Sequence, residues 1–233
     1  NMDWGYLAAV GKEGFRERIW THFDNTQLSP TVGTAINANP TIFASAEAMI
    51  VIGNRGSRSG DGKNVMVIPV CVDLITTVRG TAGTWAAIGV AMDNSTVYTS
   101  GGVTLAARYL FKDTRSGWAP RTEYAQIQFG DLTITGTTKH VVNGWFPWSG
   151  GVTPFAVGDV FRFNFGANSG GSFARAVTSD AGLANQVEIA LPPVCIAPGC
   201  SLILHPLITA MSAAASFNCV VTVVELGHPR EST

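Results

Sequence analysis

From residue 41 onward, short apolar runs alternate with clusters of Gly, Pro, Asn and Ser. The clearest run is Val160-Phe161-Arg162-Phe163-Asn164-Phe165. In an extended chain Phe161, Phe163 and Phe165 share one side, and Arg162 and Asn164 the other. Residues 187–191 alternate in the same way. Residues 124–135 do so around an interruption at Gly130-Asp131. Further strand-like runs cover 41–53, 65–78, 85–93, 97–100, 139–146, 201–204 and 217–226. Gly101-Gly102 reads as a break after the run ending at Ser100. Pro69 interrupts 65–78 and marks an edge or a bulge, because proline removes a ladder donor. The sum is about eight to ten short strands with turn residues between them and little helix. No alternation of strand and helix patterns supports a parallel α/β fold. The expected fold is all-β, a jelly-roll-like β-sandwich over 41–233.

The first forty residues differ. Phe15, Ile19 and Phe23 recur every four positions, which predicts a short amphipathic helix over 12–23. Gly14 weakens that helix, since glycine costs about 1 kcal/mol in a helix interior. Residues 27–40 read as an extended linker. Residues 1–40 are therefore expected to form an N-terminal arm and linker. Trp4, Tyr6 and Trp20 put large apolar groups there. They either cap the domain's own core or dock on a neighbouring subunit. On the docking reading, removing 1–26 should weaken association and leave the domain folded.

At 233 residues the chain buries roughly three quarters of its unfolded surface, so a core needs neither disulfide nor metal. Charged residues make up 13%, about half the usual ~25%. A surface of Thr, Ser, Gly and Ala suits a protein packed against neighbours, because charge is what keeps a lone protein apart from its copies. Fifteen basic and 16 acidic residues leave a formal charge of −1. There is no basic stripe, which argues against nucleic acid as a partner. No apolar run approaches the ~18 residues of a membrane span. Residues 1–10 lack the basic start of a signal peptide.

Candidate chemistry is sparse. The run at 57–64 (SRSGDGKN) has Ser57 and Asn64 where a phosphate loop requires Gly and Ser or Thr, so it reads as a surface turn. Gly170-Gly171-Ser172-Phe173-Ala174 lacks the last glycine of a nucleophile elbow. His22, His140, His205 and His228 are scattered. Cys195 and Cys200 flank a turn, with His205 and Cys219 beyond. Free thiols, one disulfide and a zinc site are all open for these, though strand alternation puts Cys200 and His205 on opposite faces. Cys71 and Cys219 lie in apolar runs and read as small buried hydrophobes. Asp93, Asp131 and Asp159 sit beside turns, where aspartate bonds its own backbone. No catalytic, cofactor-binding or metal-ligating set is expected. Trp145, Phe146, Pro147 and Trp148, with Trp118, are better candidates. Such rings stack on sugars, anchor protein interfaces or fill a core. Trp4, Tyr6, Trp20, Trp145 and Trp148 are thus the candidate interface residues.

Several stretches also carry a resemblance. They are 65–74 (VMVIPVCVDL), 88–94 (IGVAMDN), 98–102 (YTSGG), 191–199 (LPPVCIAPG), 202–205 (LILH), 214–217 (AASF) and 223–226 (VVEL). Together they resemble virion proteins of tailed bacteriophages that decorate or cement a capsid. The resemblance implies a jelly-roll homo-oligomer, a trimer for preference, on the capsid surface of the virion. Its partner would be the major capsid protein, and it would have no enzymatic activity. The alternative is a carbohydrate- or receptor-binding β-module of a phage tail or fibre.

Overall fold

The computed structural model describes residues 16–23, 34–36, 47–59, 63–78, 85–109, 124–135, 139–143, 157–166, 175–177, 186–208 and 215–227. In chain order the strands are β1 (Arg16–Phe23), β2 (Thr34–Ile36), β3 (Glu47–Asn54), β4 (Val65–Val78), β5 (Trp85–Asp93), β6 (Tyr98–Thr104) and β7 (Ala106–Tyr109). They continue as β8 (Ala125–Ile134), β9 (Lys139–Asn143), β10 (Val160–Phe165), β11 (Arg175–Val177), β12 (Gln186–Leu191), β13 (Ser201–Ile208) and β14 (Ala215–Gly227). Among the described residues there is no helix. The chain is all-β.

Two sheets form. One has eight strands in the order β11-β12-β10-β4-β14-β1-β7, with β2 also on β14. The other has six, β6-β8-β3-β13-β5-β9. Among the described strands every pairing is antiparallel except β10 with β12. The alternation at 160–165 does what the sequence requires. Phe161, Phe163 and Phe165 are buried, and Val160, Arg162 and Asn164 lie on the other face. Opposite them in the core stand Ile50, Ile52, Ile127 and Phe129 of the six-stranded sheet. The two sheets are therefore the layers of a β-sandwich, joined by one apolar interior. Phe161 meets Phe217 of β14 edge to face, with centroids 6.5 Å apart. A second apolar cluster, with Val51, Leu132, Ile134 and Ile203 at its centre, lies on the far face of the six-stranded sheet under Val97 and Tyr98.

The helix expected over 12–23 does not form where the structure describes that segment. Residues 16–23 are β1, hydrogen-bonded between β14 and β7. A repeat of four is also a multiple of two, so Ile19 and Phe23 share a face in a strand as they would in a helix. β1 is an inner strand of the larger sheet. Removing 1–26 would take out β1, a strand of the larger sheet, so that deletion perturbs the sheet as well as any arm. Residues 34–36, read as linker, also pair, with 215–217.

The two prolines that lie within described strands, Pro69 and Pro206, fall where the ladder has room for them. Pro69 lies opposite Val223 at a register shift between Thr222 and Val223. On its other side β4 leaves β10 after Cys71 and meets Ile196 at Val67. It marks a bulge in the ladder with β14, at a point where the other side of β4 is no longer paired with β10. Pro206 lies in β13 beyond Leu204, where pairing with β3 ends and only β5 continues. Gly101-Gly102 does not break its strand, because β6 runs through both glycines as a bulged edge.

Candidate interaction site

The outward side of the eight-stranded sheet is assembled from alternate residues of β10, β4 and β14. Register places Val160 beside Ile75, Arg162 beside Asp73 and Asn164 beside Cys71. β14 continues these rows with Asn218, Val220 and Thr222. Beyond the bulge the pairs are Val224 with Ile68 and Leu226 with Met66. Met66, Ile68, Val70, Ile75, Val160, Val220 and Leu226 are all half-buried. Apolar side chains outnumber polar ones among the described residues of this face, while the opposite side of the same strands fills the core.

Its charge is concentrated in one row. The Arg162 guanidinium donates to both Asp73 carboxylate oxygens, Nε at 2.7 Å and Nη2 at 2.9 Å. Hydrogen bonding to Asp73 and the attraction of its charge hold Arg162 above the ordinary arginine value. Glu188 accepts from the Asn164 side-chain amide. Beside the pair, burial pushes the Cys71 thiol up, a hydrogen bond to Thr222 opposing it, so the group stays a thiol. Arg162 is 40% exposed and Asp73 16%, so solvent screens the pair. Replacing Arg162 by Ala should cost no more than about 1 kcal/mol, read as a small fall in the urea midpoint with unchanged slope.

One end of the sandwich carries a second surface, a polar loop platform. Asn54, at the end of β3, is fully buried. Its side-chain amide donates to the carbonyls of Val65 at 2.8 Å and Ile196 at 2.9 Å, and its carbonyl accepts from Gly56 N at 2.9 Å. Its backbone N–H donates to Cys200, and its backbone carbonyl accepts from Gly199. One residue thus ties together the loop after β3, the start of β4 and the segment before β13. Asp93 accepts from the Ser95 N–H and hydroxyl, and the Ser201 hydroxyl donates to Ser95 O at 2.9 Å. Arg58 reaches across to the Asn94 carbonyl. Arg55, Ser57, Arg58, Lys63, Asn94 and Thr96 stand exposed on this frame. The segment tested as a phosphate loop is therefore, in its described part, a pinned surface loop.

Asn54→Ala removes three buried hydrogen bonds to the backbone, those with Val65 O, Ile196 O and Gly56 N, while Ile196 O keeps the Val67 N–H. It should lower stability by about 2–4 kcal/mol and loosen the loops at 55–59 and 194–200, measured by urea unfolding and amide exchange.

Of the residues singled out from sequence, Trp20 lies in β1, opposite Val223 and Tyr109. Trp4, Tyr6, Trp118, Trp145 and Trp148 lie outside the described residues. No disulfide joins Cys71, Cys195, Cys200 and Cys219, of which Cys195 is exposed and Cys219 buried. Partial desolvation of its sulfur raises Cys195 above the ordinary thiol value, although the residue as a whole is exposed. Among the described residues no cluster of three His, Cys, Asp or Glu side chains is arranged to hold a metal. Among them, too, no helix is long and apolar enough to cross a membrane. Sequence reading missed Asn54, Glu225 and the pairing of Arg162 with Asp73. Only Glu225 left a trace, as the lone acid within an apolar run. No protein-family model, curated protein or solved structure matches the chain.

Proposed function

We propose that the chain is a virion structural protein of the capsid-decoration or cement kind. It stabilises a phage head through contacts with the major capsid protein and with copies of itself, a trimer being the favoured assembly. It works by covering surface, with no reaction catalysed and neither nucleic acid nor membrane as partner. The observation that carries this reading is the outward face of the eight-stranded sheet. Its half-buried side chains are mostly apolar, on a chain with only 13% charged residues. Covering such a face contributes roughly 25 cal/mol per Å² before the costs of association are subtracted.

The test is sedimentation of the purified chain with phage heads, beside its mass in solution. Ile68→Glu puts a charge on the face at a half-buried position. It should leave the β-rich circular dichroism unchanged and reduce particle binding at least tenfold. Equal binding by the variant, or a wild-type chain that stays monomeric and ignores heads, would overturn the proposal. Cutting before Arg16 keeps β1 and asks separately whether Trp4 and Tyr6 serve as a docking arm.

A further inference from the structure

β1 carries an imidazole into the closed interior. His22 stands opposite Val221 of β14 and Ala107 of β7 in the ladder. It retains 1% of its surface exposure, and neither ring nitrogen has a hydrogen-bond partner. The backbone of Leu105 approaches the ring without closing a well-formed bond.

The surroundings bring little to stabilise a charge. β14 presents Cys219, Val221 and Val223 on its core side, with Glu225 further along. The Glu225 carboxylate already accepts from the N–H groups of Tyr124 and Ala125. Arg18 stands opposite Glu225, and Tyr109 opposite Trp20. Across the interior β8 supplies Ala125, Ile127 and Phe129, none of them ionisable. Burial lowers His22 to about 4, Leu105 opposes this in part, and no charged group among the described side chains contributes.

The position in the sheet decides what protonation would do. Among the described strands β7 is the terminal one, four residues long, and β1 is the strand it is bonded to. Opening that edge brings the ring to water at far less cost than unfolding the sandwich. We propose that His22 is an acid-operated latch, whose protonation frees β7 and then β1 from the sheet edge while the six-stranded sheet stays folded.

The sign follows from linkage. The open form takes up its proton near 6.5 and the closed form near 4. The latch therefore holds fully above pH 6.5 and weakens as pH falls towards 4. The open population should rise about 30-fold at pH 5 and about 150-fold at pH 4. This inference is independent of the virion reading.

The experiment is amide exchange by mass spectrometry from pH 7.5 to pH 4, corrected for intrinsic rates, on wild type and His22→Leu. Protection of 16–23 and 106–109 should fall by those factors in wild type, stay flat in the variant, and hold in β3 and β13 for both. A uniform loss across both sheets, no loss at all, or the same loss in His22→Leu would overturn the latch. If the variant fails to fold, an NMR titration of wild-type His22 decides. A midpoint near 4 upholds the proposal, and one near 6.5 ends it.

Discussion

Glu225→Ala should lower the stability of the folded chain by about 3–5 kcal/mol, seen as a reduced urea midpoint with unchanged slope. Glu225 keeps 1% of its surface exposure and lies on the core side of β14, opposite Val67. One carboxylate oxygen accepts from Tyr124 N at 2.6 Å and Ala125 N at 2.7 Å. Those amides open β8, so the contact joins the eight-stranded sheet to the six-stranded one. A hydrogen bond to a charged acceptor is roughly twice as strong as a neutral one. Alanine removes both bonds and leaves two N–H groups shut away from water, each costing about 1–3 kcal/mol. Glu225→Gln keeps an acceptor oxygen and should recover about half of the loss. Equal losses for the two substitutions would mean that the charge, and not the acceptor, matters.

The second large effect is expected at Gly102. Its φ is +59°, and an added Cβ would sit 2.4 Å from both the Phe129 carbonyl oxygen and Leu132 Cδ2. The backbone cannot yield there, because Phe129 is fully buried and β8 is paired on both sides. Gly102→Ala should cost about 3 kcal/mol or more, combining left-handed strain with overpacking. Ser100→Ala, exposed on the same strand, should stay within about 0.5 kcal/mol. Thermal unfolding of the two variants in parallel separates a glycine requirement from general sensitivity of β6. A Gly102→Ala protein as stable as wild type would show that β6 shifts freely.

The strands were readable wherever one face is dry and the other wet. The phenylalanines of β10 announce its period of two, and the runs at 65–78 and 217–226 became the long strands β4 and β14. Reading failed where spacing was degenerate. Phe15, Ile19 and Phe23 satisfy a helical repeat and a strand repeat at once, and the neighbours β14 and β7 decide between them. It failed again where a glycine pair was taken for a boundary, because positive φ is equally suited to a bulge inside a strand. Register was not readable at all. Arg162 and Asp73 are 89 positions apart, and nothing local in either segment calls for the other. Asn54 lies at the polar end of an apolar run and looks like a turn residue. Its importance comes from Val65 and Ile196, brought to it by three strands. His22 was one of four scattered histidines until β1 carried it inside.

The place of β14 has a consequence for biosynthesis. β14 lies between β1 and β4, although it follows both by well over a hundred residues in the chain. On the ribosome β1 emerges before the other described strands of its sheet, and its chief neighbour β14 after them all. Until residue 227 leaves the exit tunnel, the apolar sides of β1 and β4 have no mate between them. Nascent chains must wait with those edges bare, the condition under which chaperones are needed and neighbouring polypeptides entangle. Slowing translation just upstream of codon 215 should lower the soluble yield, whereas the same pause before β3 should not.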